Sequence, residues 1–255
     1  MQGPFSDGRK IALVIYGGTM TAVRAAGALT ALEEMKLGRA FDSIYTVSAG
    51  FPCASYFLAG QSKIVASVLY QDFTNSKFLN FFRLWKMVDT EYGIRVVRDT
   101  KPLNVKKMLD NPTKLYVGLF DPFIDSVEYL EVHDFNEKEY FELLKASVSV
   151  PYLCPGDVHV RGKLYEDMPF KVNYHLNHVM TAINSGATDI LVLFNYYEQR
   201  KYENTLPEHV YELRPSPDWD LSRFETKTEP LKLAAIQMGE YVKQIFGEQG
   251  TIQLP

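Results

Sequence analysis

Ile11-Ala-Leu-Val-Ile-Tyr16, Gly17-Gly18 and Thr19-Met-Thr-Ala-Val-Arg-Ala-Ala-Gly-Ala-Leu-Thr-Ala-Leu-Glu-Glu-Met35 open the stretch that decides the fold. It continues through Ser43-Ile-Tyr-Thr-Val47 and Ser48-Ala-Gly50 to Gly60. The first six residues are apolar without alternation, the pattern of a strand buried on both faces. The run breaks at paired glycines, and residues 19–35 hold helix formers and no proline. The second short strand runs directly into a serine turn and a second apolar helix. Two such turns place two helix N-termini at one edge of a parallel sheet. One turn offers backbone N–H groups and the other a hydroxyl. Acyl transfer needs that pairing, a nucleophile with donors for the oxyanion that develops beside it.

Gly17-Gly18-Thr19-Met20 followed by Ala26-Gly27-Ala28-Leu29 resembles the glycine-rich oxyanion loop and first helix of the patatin-like phospholipases. Thr46-Val-Ser-Ala-Gly50 resembles that family's G-x-S-x-G nucleophile elbow. Downstream, Ala146-Ser-Val-Ser-Val-Pro151 and Tyr165-Glu-Asp167 are similar to its A-S-x-A-x-P segment and aspartate-bearing strand. Gly186-Ala-Thr-Asp-Ile-Leu-Val-Leu193 resembles the strand that follows. The pieces occur in the family's order between Lys10 and Phe194. The sequence departs from the pattern at Thr19 for the third glycine, Thr21 for the arginine, Ala22 for the last glycine and Thr46 for the first elbow glycine. Met168 stands where a glycine usually follows the aspartate.

The resemblance implies a three-layer α/β/α fold with a mostly parallel central sheet. It also implies a lipid acyl hydrolase of phospholipase A or esterase type, working through a Ser48–Asp167 dyad without histidine. Asp167 takes the proton of the Ser48 hydroxyl as it attacks an ester carbonyl, and the turn from Gly17 and Gly18 to Thr19 and Met20 holds the oxyanion. No metal or other cofactor is implied. A carboxylate with an ordinary pKa near ~3.9 is a weak base for a serine, so preorganised donors must carry much of the rate. A second reading from the same residues is a relative that binds lipid or a protein partner without hydrolysis. The threonines at 19, 21 and 46 divide the two: a β-branched Thr46 is expected to crowd the elbow, and crowding that separates Ser48 from Asp167 would favour the binding protein. Taken alone, Ser48 also reads as a helix cap after a strand.

Composition bounds the remainder. At 255 residues, with 46% hydrophobic and 23% charged residues, the chain reads as an N-terminal extension (1–9) and a single α/β domain (10–255). A net charge of −4 leaves no basic footprint, so no nucleic-acid partner is expected. Two cysteines, Cys53 and Cys154, make no disulfide framework, and Cys53 reads as a buried small hydrophobe. Met1 to Arg9 lacks the apolar core of a secretory signal, and no stretch approaches the ~20 apolar residues of a membrane span. The expected location is the cytoplasm or one face of a membrane.

Phe78, Phe81, Phe82 and Trp85 share a helical face by spacing, with Arg83 and Lys86 beside them. Two readings stand: a helix packed on the core with its cations solvated, or an interfacial lid in peripheral contact with a lipid surface. The spacing further predicts strands at 114–120 and 126–132 and a helix over 137–147. A hairpin is expected around Arg161-Gly162, a strand at 210–214 and a sheet-covering helix over 230–246. The first helix is expected to end near Leu37-Gly38 on a glycine cap, and Gly27 to let that helix approach the sheet. His175 and His178 stand at helical spacing with no third metal ligand in view. His209 is the only histidine late enough for a Ser-His-Asp order. The Gly17-Gly18 turn lacks both the P-loop lysine and the G-x-G-x-x-G spacing of nucleotide sites.

Overall fold

The computed structural model describes residues 8–83, 86–154, 156–167, 175–197 and 209–247. The chain runs β1 (Ile11–Ile15), α1 (Val23–Glu34), β2 (Ser43–Val47), α2 (Gly50–Leu58), α3 (Ser62–Ser67), α4 (Thr90–Arg95) and α5 (Val105–Leu109). It continues through β3 (Lys114–Asp121), β4 (Ser126–Glu131), α6 (Glu137–Val148), β5 (Val158–Val160) and β6 (Lys163–Tyr165). The last elements are α7 (His175–Asn184), β7 (Asp189–Leu193), β8 (Val210–Leu213) and α8 (Thr228–Phe246).

Six strands form one sheet in the order β4-β3-β2-β1-β7-β8. Every neighbouring pair is parallel except β3 with β4. Alternation along the strands divides the core into two layers. Leu13, Ile15, Ile44, Leu115, Val117 and Leu193 belong to the layer of α1, α2 and α6, behind which α8 packs on α1. Ala12, Val14, Tyr16, Tyr45, Val47 and Val192 face α7 through Val179 and Ala182. The result is the expected three-layer α/β/α arrangement with a mostly parallel sheet.

Register matters for the site. Ile15 lies opposite Thr46 on one side and Leu193 on the other. The strands β1, β2 and β7 therefore end together, and the segments that leave them share one edge.

Four expectations are corrected. α1 ends at Glu34 and the left-handed residue that turns the chain is Lys36 (φ 62°), not Gly38, with the Leu37 N–H returning to the Leu32 carbonyl at 2.8 Å. Gly27 serves a helix rather than the sheet, because a Cβ there would sit 2.1 Å from the Ala235 carbonyl oxygen of α8. α8 correspondingly packs mainly on α1, with Leu231, Ala234, Met238 and Val242 buried, instead of lying directly on the strands. The described part of residues 78–88 is not helical. Leu79 and Val88 form an antiparallel bridge, and Asn75 and Asn80 side chains capture the N–H groups of Lys77 and Phe82 at 2.8 and 3.0 Å. Asparagine offers the backbone a local alternative to the helix, and here it wins. Trp85 lies outside the described residues.

Candidate active site

The turns after β1 and β2 press against each other, and glycines make that approach possible. A Cβ on Gly17 would lie 2.4 Å from the Ser48 Cβ and 2.9 Å from its Oγ. A Cβ on Gly50 would lie 2.6 Å from the Ile15 carbonyl oxygen. Both contacts are closer than any side chain tolerates, so two spots in the sequence pattern have one cause, the contact between the turns.

Ser48 sits at φ 53° and Thr19 at φ 54°, the left-handed region that side chains rarely enter, a β-branched threonine least of all. Such backbone persists only where surrounding contacts over-determine it. The Ser48 hydroxyl does not cap α2, which starts without a side-chain cap. It donates instead to Asp167 Oδ2 at 2.6 Å.

Asp167 reaches Ser48 on the hairpin β5–β6, whose turn residues Arg161 and Gly162 have φ 50° and 82°. Glu166 exchanges two backbone hydrogen bonds with Phe120 of β3, at 2.9 and 3.0 Å, and the Asp167 N–H donates to the Ser149 carbonyl at 3.1 Å. Lys163 adds a clamp, its Nζ 2.9 Å from Asp121 Oδ2 and 2.5 Å from Glu128 Oε2. That cation holds both carboxyls below their usual range. The Asp167 carboxylate is thus buried at a strand end beside a cleft.

Thr46, expected to crowd the elbow, is accommodated. Its hydroxyl donates to the Tyr116 carbonyl on β3 at 2.9 Å, and the residue is fully buried within the regular register of β2. Of the four residues expected to hold an oxyanion, Gly18 and Thr19 carry N–H groups without a hydrogen bond among the described residues. Gly17 packs on Ser48. The Met20 N–H is engaged by the Arg223 carbonyl at 3.1 Å and is not available as a donor.

From Ser48, Asp167 and Thr19 an apolar cleft of about 850 Å³, counting its open mouth, runs into the layer of helices. Its wall is built by α3, α4, the end of α6 and the turns between them, with Leu69, Phe73, Phe78, Ile94, Val97 and Leu144 among the lining residues. Two wider, π-type helical turns shape that wall: the Phe73 N–H reaches back five residues to Val68, and Lys101 to Val96, at 3.0 and 2.8 Å. Cys53 and Cys154 also line the cleft, and burial pushes both thiols up to about 12, so they act as small apolar groups. Phe81 and Phe82 are half and almost wholly exposed and do not line the cleft, while Phe78 does and is buried against Phe73. Arg83, expected to be solvated, instead binds the Ser76 and Lys77 carbonyls at 2.5 and 3.0 Å.

No histidine lines the cleft among the described residues. His178 faces the other layer, bonded to the Tyr129 hydroxyl and edge-on to Tyr16. His209 is exposed, and its carbonyl accepts from Ile190 at the start of β8. Among the described residues no three His, Cys, Asp or Glu side chains gather as a metal site.

Sequence reasoning missed Asn195 and Arg24. Asn195 follows β7 at the shared edge, fully buried, and its side chain bonds the Tyr16 and Gly17 carbonyls and the Ala25 N–H. Arg24, also buried, donates to the Asn195 and Trp219 carbonyls. An amide placed at the end of an apolar strand, level with the glycine turn, was the available signal.

No family model matches the sequence, and no curated protein matches it. Among solved structures the chain is similar to VipD from Legionella pneumophila, with TM-score 0.46 and 10% identity, over 91% of this chain and 67% of that one. It is also similar to two structures of ExoU with SpcU from the type III secretion system of Pseudomonas aeruginosa. Their TM-scores are 0.40 and 0.41, with 16% and 15% identity over 92% and 96% of this chain. The chain spans about half of those ExoU chains, 52% and 53%. The fold described above rests on this chain's own sheet order and layers.

Proposed function

We propose that the chain is a serine acyl hydrolase of patatin-like type that cleaves carboxylic esters of long-chain lipids. The observation that carries this reading is the 2.6 Å bond from Ser48 Oγ to Asp167 Oδ2 at the polar end of an otherwise apolar cleft. Ser48 Oγ attacks the ester carbonyl carbon as its proton passes to Asp167. The carbonyl oxygen becomes an oxyanion beside the Gly18 and Thr19 N–H groups, near the start of the helical turn that leads into α1. Collapse expels the alcohol, which takes the proton from Asp167, and leaves an acyl-enzyme. A water then gives its proton to Asp167 and attacks the acyl carbon. The tetrahedral species collapses, Ser48 recovers the proton and the fatty acid leaves.

The apolar lining of the cleft suits an acyl chain, and a phospholipid or similar lipid ester is the substrate class. Access from a membrane surface fits the same geometry. Phe82 is 95% exposed and Tyr152 89% exposed. The two segments are tied together where the Val88 N–H donates to the Leu153 carbonyl at 3.1 Å beside the cleft. Among the described residues no helix is long and apolar enough to cross a membrane.

Fatty-acid release from phosphatidylcholine–phosphatidylglycerol vesicles, and hydrolysis of soluble p-nitrophenyl esters, test the proposal. Wild-type protein is expected to turn over both, and Ser48→Ala and Asp167→Asn to fall by three orders of magnitude or thereabouts (~10³). A folded wild type inert on every ester, yet binding the vesicles, would favour the non-hydrolytic lipid-binding alternative.

A further inference from the structure

In a trans peptide the carbonyl and the following N–H point in opposite directions within one plane. Whatever grips the carbonyl therefore aims the N–H. The Gly18 carbonyl accepts two bonds, from the Thr21 N–H at 3.1 Å and the Thr21 hydroxyl at 2.7 Å. That peptide's other side carries the Thr19 N–H. The Gly17 carbonyl accepts from Asn195 Nδ2 at 3.1 Å, and that peptide carries the Gly18 N–H. The same Nδ2 donates to the Tyr16 carbonyl at 2.5 Å, so successive carbonyls are drawn to one side.

Asn195 is itself fixed. Its Oδ1 accepts from the Ala25 N–H at 3.0 Å, which sets which end of the amide faces the loop, and Arg24 Nη1 holds its backbone carbonyl at 2.8 Å. Thr21 and Asn195 are both fully buried and neither lines the cleft. A Cβ on Gly18 would meet Thr21 Oγ1 at 2.3 Å and the Asn195 Cβ at 3.2 Å, so the missing side chain at 18 makes the room that both use.

We infer that Thr21 and Asn195 are the positioning residues of the oxyanion site: they draw the Gly17 and Gly18 carbonyls inward and thereby present the Gly18 and Thr19 N–H groups to the substrate oxygen. This rests on the hydrolase reading above. It gives the altered residues of the glycine loop a shared purpose. A threonine at 19 is tolerated at positive φ because the hydroxyl at 21 locks the preceding peptide.

Thr21→Val keeps the side-chain volume and deletes the hydroxyl. The rate of Ser48 modification by an ethyl fluorophosphonate, and kcat and KM on p-nitrophenyl butyrate, read the result. Both the labelling rate and kcat are expected to fall about 10- to 100-fold with KM within about twofold, since the lost contact acts on the transition state. Thr21→Ser is expected to recover most of the rate, and Asn195→Asp, which turns a donor toward two carbonyls into an acceptor, to lose at least as much as Thr21→Val. A purely structural role would lower Tm without the kcat-only signature or the rescue by serine. Thr21→Ala, which needs no extra space, replaces the valine variant if that one does not fold. Labelling of either hydroxyl-free variant at the wild-type rate overturns the inference and leaves the hydrolase reading intact. A wild type that is never labelled overturns both.

Discussion

The sheet edge that holds Ser48 and the wall that faces it across the cleft are made in different ways. At the edge, backbone meets backbone or the Ser48 side chain. Gly17 against Ser48 and Gly50 against Ile15 leave no space for a single added methyl, and buried side chains of Asn195 and Thr21 bond the turn's carbonyls. On the wall, side chains meet side chains: Leu69, Phe73, Phe78, Ile94 and Val97 stand on short helices and loops. Even the glycine there is different, since a Cβ on Gly93 would meet only the rings of Phe78 and Phe73, at 3.3 and 3.5 Å. On the proposed hydrolase reading, the contrast teaches that main-chain geometry fixes the reaction, whereas replaceable apolar volume sets the size of the substrate.

The largest effect that would sharpen this contrast is expected from Gly17→Ala. The new methyl cannot avoid Ser48, so kcat/KM should fall by about a hundredfold or more on esters of every chain length. Equal loss on acetyl and palmitoyl esters is the expected result. A loss confined to long chains would break the contrast, because the edge would then be acting as part of the wall.

Val97→Phe comes next. It adds a ring to the apolar wall of the cleft, and kcat/KM for a palmitoyl ester should drop about tenfold while a butyryl ester stays within about twofold. Chain-length profiles measured side by side check it, and a uniform loss would contradict it. Gly93→Ala should be milder. Removing a glycine from the interior of α4 gains up to about 1 kcal/mol of helix stability, opposed by the close Phe78 ring, so Tm should move by only a few degrees and long-chain turnover by about twofold.

How much of this was legible beforehand divides along the same line. Buried strands, the two turns and the order of the later segments could be read because backbone demands restrict residue type: only glycine fits at 17 and 50, and apolar runs mark β1 and β7. Ser48 and Asp167 were singled out from the sequence and lie in hydrogen-bond contact. The wall was not legible, because many apolar residues serve equally well there. The aromatic cluster of 78–88 has helical spacing, yet Asn75 and Asn80 turn the chain out of a helix. Nor did spacing show that Gly27 faces another helix, since a close approach to α8 and one to the sheet demand the same small residue. Asn195 went unread because a single amide at a strand end has no periodicity.

The smallest effect concerns the hairpin that carries Asp167. Lys163 holds Asp121 and Glu128 below the usual carboxylate range, so the clamp contributes stability above their ordinary pKa near ~4 and loses it as the pH falls through the lowered values. Asp121 is buried, but the Lys163 end of both pairs is exposed to solvent, which screens them, and Lys163→Met should lower Tm at pH 7 by no more than about two degrees. The difference from wild type should shrink toward pH 3. A gap that stays constant with pH would assign the effect to packing of the lysine stem instead.

The central claim is that Ser48 is an activated nucleophile because Asp167 and the turn backbone surround it. Intact-mass and peptide mapping after incubation with a fluorophosphonate tests it most directly. A single adduct on Ser48, slowed at least a hundredfold (~10²) in Asp167→Asn, is the predicted result. A folded protein that gains no adduct, or gains one on Ser48 at the same rate without the Asp167 carboxylate, would contradict the account.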